Sequence, residues 1–247
     1  LPATDIKIPE IVVTPDPHAL TEEAARRIIA AAEAKLSDTN CFFSLVLSGG
    51  STPKALYELL ASDPYKSQLN WSKVDVFFGD ERCVPPDHKD SNYLMAHTAM
   101  LSKLPLPEPN IHRMRGELAP EDAAIEYGKL LKERFHDDGP DFVLLGMGDD
   151  GHTASLFPGT KALDETQHRC VANFVPKMDT WRITMTYPFL NKAAQVLFLV
   201  AGESKAARVQ EVLEGPRDFH RLPIQGIQPV GKLTWLLDAA ASDMHKA

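Results

Sequence analysis

Three cysteines in 247 residues, Cys41, Cys83 and Cys170, are too few and too scattered to frame a disulfide-stapled fold. They form no C-x-x-C pair, which favours a reducing compartment over a secreted or zinc-knuckle protein. Long apolar runs are missing as well: none reaches the length that crosses a bilayer, and no signal-like apolar segment opens the sequence. The cytoplasm is the expected location, with no membrane partner. Positive charge is in deficit, 26 Lys and Arg against 34 Asp and Glu, for a formal charge of -8. That balance argues against a nucleic-acid surface, while leaving room for a small basic pocket around an anionic metabolite. No feature indicates a protein partner, and none specifies an oligomeric state. Low-complexity tracts and composition breaks are absent too. The remaining composition, 44% hydrophobic and 24% charged, is that of an ordinary globular core, and a single domain over 1–247 is expected.

The patterning alternates strands with helices. Short apolar runs predict strands over 11–13, 42–47, 74–78, 142–145, 196–200 and 232–237, with a short edge strand over 111–114. Helical periodicity predicts helices over 17–36, 53–60, 92–101, 120–135, 202–213 and 238–244, with Pro53 at a first helical position and Thr52 as its cap. Segments 171–175 and 182–186 also look like strands, the second alternating at period two, whereas 80–86 looks like a polar loop. Tyr187-Pro188 leads into one more short helix. This order implies an α/β fold of three layers, with a mostly parallel sheet covered on both faces; pattern alone does not give the strand order.

Chemistry concentrates where strands end. Leu144-Leu145-Gly146-Met147-Gly148-Asp149-Asp150-Gly151-His152-Thr153-Ala154-Ser155 carries an apolar run into closely spaced glycines, two carboxylates and a histidine. If the run is a central strand, the turn presents His152 in the crevice where open α/β sheets hold their ligands. An isolated histidine titrates near ~6.5, which suits proton transfer, and Asp150 or Asp149 is placed to orient it. Thr153 and Ser155 are candidates for bonding the turn itself. Gly146-x-Gly148-x-x-Gly151 is not enough for a dinucleotide site, because its strand does not open a mononucleotide-binding half. A metal reading of His152, Asp149 and Asp150 lacks a second histidine at ligand spacing, so neither metal nor cofactor is expected.

Ser48-Gly49-Gly50-Ser51-Thr52-Pro53 has the makings of an anion cradle, with small residues, hydroxyls and a helix N-terminus, although the P-loop spacing is absent. A structural strand-to-helix turn would use the same residues. Neither Ser48 nor Ser51 sits in the G-x-S-x-G setting of a serine nucleophile. In Asp80-Glu81-Arg82 the acidic pair can move protons or hold Arg82, and Arg82 can clamp an anion; a solvated loop cluster is the plain alternative. Lys205 and Arg182 are open in the same way between anion binding and surface solvation.

Taken together and in this order, Ser48-Gly49-Gly50-Ser51-Thr52-Pro53, Gly79-Asp80-Glu81-Arg82, the turn ending in His152 with its continuation Thr153-Ala154-Ser155-Leu156-Phe157-Pro158, Arg182-Ile183-Thr184-Met185-Thr186 and Gly202-Glu203-Ser204-Lys205 resemble the glucosamine-6-phosphate isomerase/6-phosphogluconolactonase family over nearly the whole chain. Arg82 after the acidic pair, where the deaminases commonly carry an aromatic residue, favours the lactonase branch, as does the Phe157-Pro158-Gly159 continuation. Trp181 stands where the family often has proline. The resemblance implies a modified Rossmann-like α/β/α fold and hydrolysis of a phosphorylated sugar lactone, 6-phospho-D-glucono-1,5-lactone. It implies His152 as general base, Gly49, Gly50 and Ser51 as the substrate cradle, Arg82 as an active-site arginine, and Arg182 and Lys205 as phosphate ligands. Asp80 and Asp150 match acidic positions used for proton chemistry in the deaminases. An amino-sugar-phosphate isomerase/deaminase and a noncatalytic sugar-phosphate sensor are the competing expectations.

Overall fold

The computed structural model describes residues 8–243, so the end of the helix expected to reach Met244 lies outside the described residues. In chain order, β1 (Glu10–Thr14), α1 (Pro17–Leu36), β2 (Phe43–Leu47) and α2 (Ser51–Leu60) are followed by β3 (Val74–Phe78), β4 (Asp80–Arg82), α3 (Asn92–Ala99) and β5 (Ile111–His112). The chain continues through α4 (Pro120–Phe135), β6 (Phe142–Leu145), β7 (Cys170–Val175), β8 (Thr180–Met185) and α5 (Tyr187–Leu190). It then adds β9 (Gln195–Val200), α6 (Ala206–Glu214), β10 (Lys232–Asp238) and α7 (Ala239–Ser242). Local chemistry explains the helix starts. Asp16 accepts the Ala19 N–H at 2.8 Å ahead of Pro17, and Ser91 accepts the Leu94 N–H at 3.1 Å.

Seven strands form a parallel sheet in the order β1-β10-β9-β6-β2-β3-β5. The expected mostly parallel sheet is therefore present, and its order gives the site its place. From β2 the chain lays β3 and β5 to one side, then returns to build β6, β9 and β10 on the other. The crossover direction reverses between β2 and β6, the point at which such sheets open a crevice beyond the strands' carboxyl ends.

The inner strands of this sheet feed two cores by alternation. Val143, Leu145, Phe198, Val200, Trp235 and Leu237 turn to one face and pack with Tyr127, Leu131 and Phe135 of α4 and Val209 and Val212 of α6. Phe142, Leu144, Leu197, Leu199, Phe43 and Leu45 turn to the other and meet Leu20, Ile28, Leu56 and Leu60 of α1 and α2. Both faces being covered, these strands read as continuous apolar runs, which is why the sequence exposes them so plainly.

The segment expected as a polar loop over 80–86 begins instead as β4, in a second sheet of order β4-β8-β7 with antiparallel pairing. The Gly79 N–H donates to Leu47 O at 2.9 Å in the large sheet, while Gly79 O accepts the Met185 N–H at 2.8 Å in the small one. The chain thus steps directly from one sheet into the other, and Asp80, Glu81 and Arg82 find ladder partners in Thr184, Ile183 and Arg182, which no local pattern announces. Helix boundaries also differ from expectation: the helix expected over 92–101 ends at Ala99, and two helix starts beside the cleft are displaced. The helix expected from Pro53 begins at Ser51, with Gly50 at φ 115 in the cap position and no side-chain cap in place of Thr52. Glycine adopts this conformation cheaply, so the chain enters the helix early and leaves its first-turn amides facing the crevice. The helix expected from 202 starts as a 3-10 turn, Glu203–Lys205, before α6.

Glu10 ties three elements together. Its carboxylate meets Arg27 of α1 at 2.9 Å, Lys232 at 2.8 Å and the Thr234 hydroxyl at 3.0 Å, both on β10. The Arg27 and Lys232 contacts hold its carboxyl down from 4.5 to about 2. A lowered carboxyl stabilises the fold above the ordinary carboxylate range and loses that contribution as pH falls through the folded value. Because the side chain is partly exposed, Glu10→Gln is expected to lower Tm by only about 1–3 °C at neutral pH. The gap to wild type should close between pH 4.5 and about 2. Parallel thermal melts would show this; a gap that widens toward acid would contradict the assignment.

Candidate active site

A cleft of about 350 Å³ lies beyond the carboxyl ends of β2, β6 and β9. β2 contributes Ser48, Gly49, Gly50 and Ser51, and β6 contributes Gly146, Met147, Gly148 and His152. Lys205 comes from the turn after β9, while Asp80, Arg82 and Arg182 come from the small sheet. Most of the residues singled out from sequence line this cleft; Asp150 stands behind His152 and bonds to it, while Asp149 and Glu81 lie outside the lining.

His152 is held on three sides. Its Nδ1 lies 2.6 Å from Asp150 Oδ1, and its backbone N–H donates to the same oxygen at 3.2 Å. Its ring stacks on Phe157 with centroids 4.0 Å apart and planes inclined by 23°. The turn beneath is closed by the Gly148 N–H donating to His152 O at 2.9 Å and the Gly151 N–H donating to Gly148 O at 3.0 Å. Burial pushes the Asp150 carboxyl up, but bonds from His152 and from the Lys177 ammonium outweigh it and hold the group well below its usual range. A carboxylate accepting from Nδ1–H leaves Nε2 as the free, proton-accepting nitrogen.

Across the small sheet, Arg82 and Arg182 are directly opposed partners on β4 and β8. Among the described residues neither has a carboxylate within ion-pair distance. Burial, then the charge of Arg82, lowers the pKa of the Arg182 guanidinium. Asp80 and Glu81 offset that repulsion from a distance, and with no carboxylate in direct contact the two cations are free to take a bound anion. Arg82 is steadied by the Asp90 carbonyl, to which its guanidinium donates. Lys205 donates to Met147 O at 3.0 Å and pairs with Asp149, whose side chain is 86% exposed and so easily displaced by a ligand. That ammonium holds the Asp149 carboxyl below its ordinary value.

The acidic pair divides its work. Glu81 is buried and accepts the backbone N–H groups of Arg82, Asn92 and Tyr93 at 2.7–2.8 Å and the Ser91 hydroxyl at 3.0 Å, so it anchors the start of α3 and does not touch the cleft. Burial pushes its carboxyl up against those donors. Asp80 faces the cleft, accepting from Ser155 Oγ at 2.6 Å and more distantly from Asn92 Nδ2 at 3.4 Å. Thr153 bonds its own turn through Gly146 O at 2.8 Å, as expected, but Ser155 serves Asp80 instead.

Several participants escape sequence reasoning. Asn92 is buried, lies against Gly49 and donates to Asp80 O at 2.9 Å; only its position after a helix-capping serine hints at a special role. Tyr57 clamps the end of β2, its hydroxyl accepting the Ser48 N–H at 2.9 Å and donating to Ser48 O at 2.8 Å. Its apolar helical spacing disguises this task. Lys177 carries no local signal at all. Among the described residues, no group of three His, Cys, Asp or Glu side chains converges as around a metal ion, and no helix is long and apolar enough to cross a membrane.

The model of the family described as glucosamine-6-phosphate isomerases/6-phosphogluconolactonase matches residues 15–235. The chain is 42% identical over 237 residues to a 6-phosphogluconolactonase of Nostoc sp., covering 94% of this chain and 96% of that one. Its fold superposes on a crystal structure of devB protein with a TM-score of 0.88 at 32% identity, covering 96% of this chain and all of the other. The 6-phosphogluconolactonase from Trypanosoma cruzi superposes with a TM-score of 0.85 at 29% identity, covering 99% of this chain and 100% of its own. The architecture is thus that of a Rossmann-like α/β/α protein with its cleft at the switch point of a parallel sheet. The chain belongs to the glucosamine-6-phosphate isomerase/6-phosphogluconolactonase family.

Proposed function

We propose that this protein hydrolyses 6-phospho-D-glucono-1,5-lactone to 6-phosphogluconate, with His152 as general base. The observation that carries the reading is the pairing, in one cleft, of a histidine backed by a carboxylate with two arginines that have no direct carboxylate partner. It is supported by the lactonase names of the relatives that cover most of the chain. A cytoplasmic place in the oxidative pentose phosphate pathway and a single catalytic domain over 1–247 belong to the same proposal.

In this mechanism, Asp150 holds the Nδ1–H tautomer and Nε2 takes a proton from water as that water's oxygen bonds to C1 of the lactone. Charge developing on the carbonyl oxygen needs donors already in place, and Arg82 and the amides of the turn through Gly49, Gly50 and Ser51 are available for it. Collapse of the tetrahedral intermediate breaks the bond from C1 to the ring oxygen, which receives the proton from the His152 imidazolium. Water is thereby divided between the new carboxyl group and the released hydroxyl. Arg182 and Lys205 grip the phosphate, a remote handle whose binding energy positions the ester.

Purified protein should turn over freshly generated lactone above the spontaneous rate. Ammonia release from glucosamine 6-phosphate in its place would transfer the assignment to the deaminase branch. Ligand-induced stabilisation with neither reaction would make the chain a sensor. Arg182→Ala and Lys205→Ala are each expected to raise KM about 10–100-fold, as the loss of a charge-assisted phosphate contact implies, with a smaller change in kcat. Unchanged KM and kcat/KM in both variants would remove them from the phosphate site.

A further inference from the structure

Asp150 uses both carboxylate oxygens. Oδ1 is taken by His152, through the ring at 2.6 Å and the backbone N–H at 3.2 Å, and Oδ2 receives the Lys177 ammonium. Lys177 lies at the tip of the β7–β8 hairpin, in the turn Pro176–Met178 closed by Asp179 at φ 47. The register Val175↔Thr180 fixes that tip relative to β8. The neighbouring Met178 lines the cleft, with its sulfur 3.9 Å from the Arg182 guanidinium. A hairpin of the small sheet therefore reaches over to the catalytic turn of the large one and ends on the carboxylate that orients its histidine.

We propose that Lys177 is a positioning residue for the Asp150–His152 pair: its ion pair fixes the second carboxylate oxygen and limits how strongly Asp150 favours the imidazolium. The inference rests on the general-base reading of His152. A carboxylate on Nδ1–H stabilises a protonated ring, and a cation on the far oxygen draws that stabilisation back. His152 then stays neutral, and competent as a base, to lower pH than with an unopposed carboxylate. The other charges facing the pair are Asp149 with its partner Lys205 beside the turn, Arg208 on the Asp149 carbonyl, and Asp80, Arg82 and Arg182 across the cleft. Among the described residues, Lys177 alone of the lysines and arginines is paired with Asp150. Its side chain is 62% exposed, so its removal leaves no cavity, and Asp150, whose side chain is 23% exposed, can take water in its place.

The test compares wild type, Lys177→Met and Lys177→Arg in two readouts: the pH profile of kcat/KM for the lactone, and an NMR titration of the His152 ring. In Lys177→Met both the acid limb and the ring titration should move to higher pH by about half a unit, the size expected for one partly screened charge at this separation. Lys177→Arg should restore both. A Lys177→Met protein that loses turnover but keeps both midpoints would overturn the proposal, since a merely structural lysine acts that way. If wild type fails to hydrolyse lactone, the functional reading falls, and the ring titration still decides whether Lys177 governs the pair.

Discussion

Replacing His152 with alanine is expected to lower kcat on the lactone about 10²–10⁴-fold, or roughly 3–5 kcal/mol of transition-state stabilisation, while KM changes little. The size follows from what is lost. Arg182, Lys205 and the amides after β2 remain to hold the substrate, so binding persists, but water loses its proton acceptor and the ring oxygen its proton donor. The fold should be indifferent. The ring is stacked on Phe157 at the cleft wall and its side chain is 28% exposed, so the deletion leaves space that water can fill. Steady-state assays with the spontaneous rate subtracted, together with a thermal melt, separate the two effects. Turnover near wild type in a folded His152→Ala protein would end the general-base assignment.

The second large effect comes from one methyl group. At Gly148 an added Cβ would sit 2.0 Å from His152 Cε1 and 2.1 Å from Nδ1. Gly148→Ala must therefore push the imidazole away, breaking its 2.6 Å contact with Asp150. A displacement of about 1 Å at a reacting group can cost ~10²-fold in rate, and that is the expected fall in kcat. Affinity for 6-phosphogluconate should be preserved, because the proposed phosphate ligands, Arg182 on β8 and Lys205 after β9, are carried by other elements. A double-mutant cycle isolates the cause: once His152 is alanine the clash disappears, so Gly148→Ala should add almost nothing to His152→Ala. Full additivity of the two losses would show that the methyl group acts elsewhere.

How far the sequence discloses this molecule follows from where its interactions lie. Strands buried on both faces, such as β2, β6 and β9, appear as apolar runs, and the helices at Pro17 and Pro120 declare their own starts. The small sheet was half legible. The period-two alternation around Arg182 marks β8, but β4 is made a strand only by partners about a hundred residues further along the chain. In the cleft, His152 and the glycine turns stood out because their chemistry is written in consecutive residues. Tyr57, Asn92 and Lys177 did not, and Ser155 did so only as a turn residue, because each acts on a residue brought near only by folding. The Gly50 cap shows the same limit at smaller scale: a proline and a threonine in plausible places misdirect when a glycine turns the chain before them.

The step at Gly79 from one sheet into the other has a consequence for how this site can change. The turn that carries His152 belongs to the parallel body, and the arginine pair belongs to the antiparallel ribbon laid against it. The cleft is the seam between them. Two lysines tie into the His152 turn from outside it: Lys177, at the tip of the ribbon's hairpin, crosses the seam to end on Asp150, and Lys205, after β9, is bonded to Met147 O and Asp149 in the turn after β6. On the proposed roles, a change in the histidine's turn or in the ribbon is therefore felt beyond it at these two lysines, and at few other charged groups of the cleft.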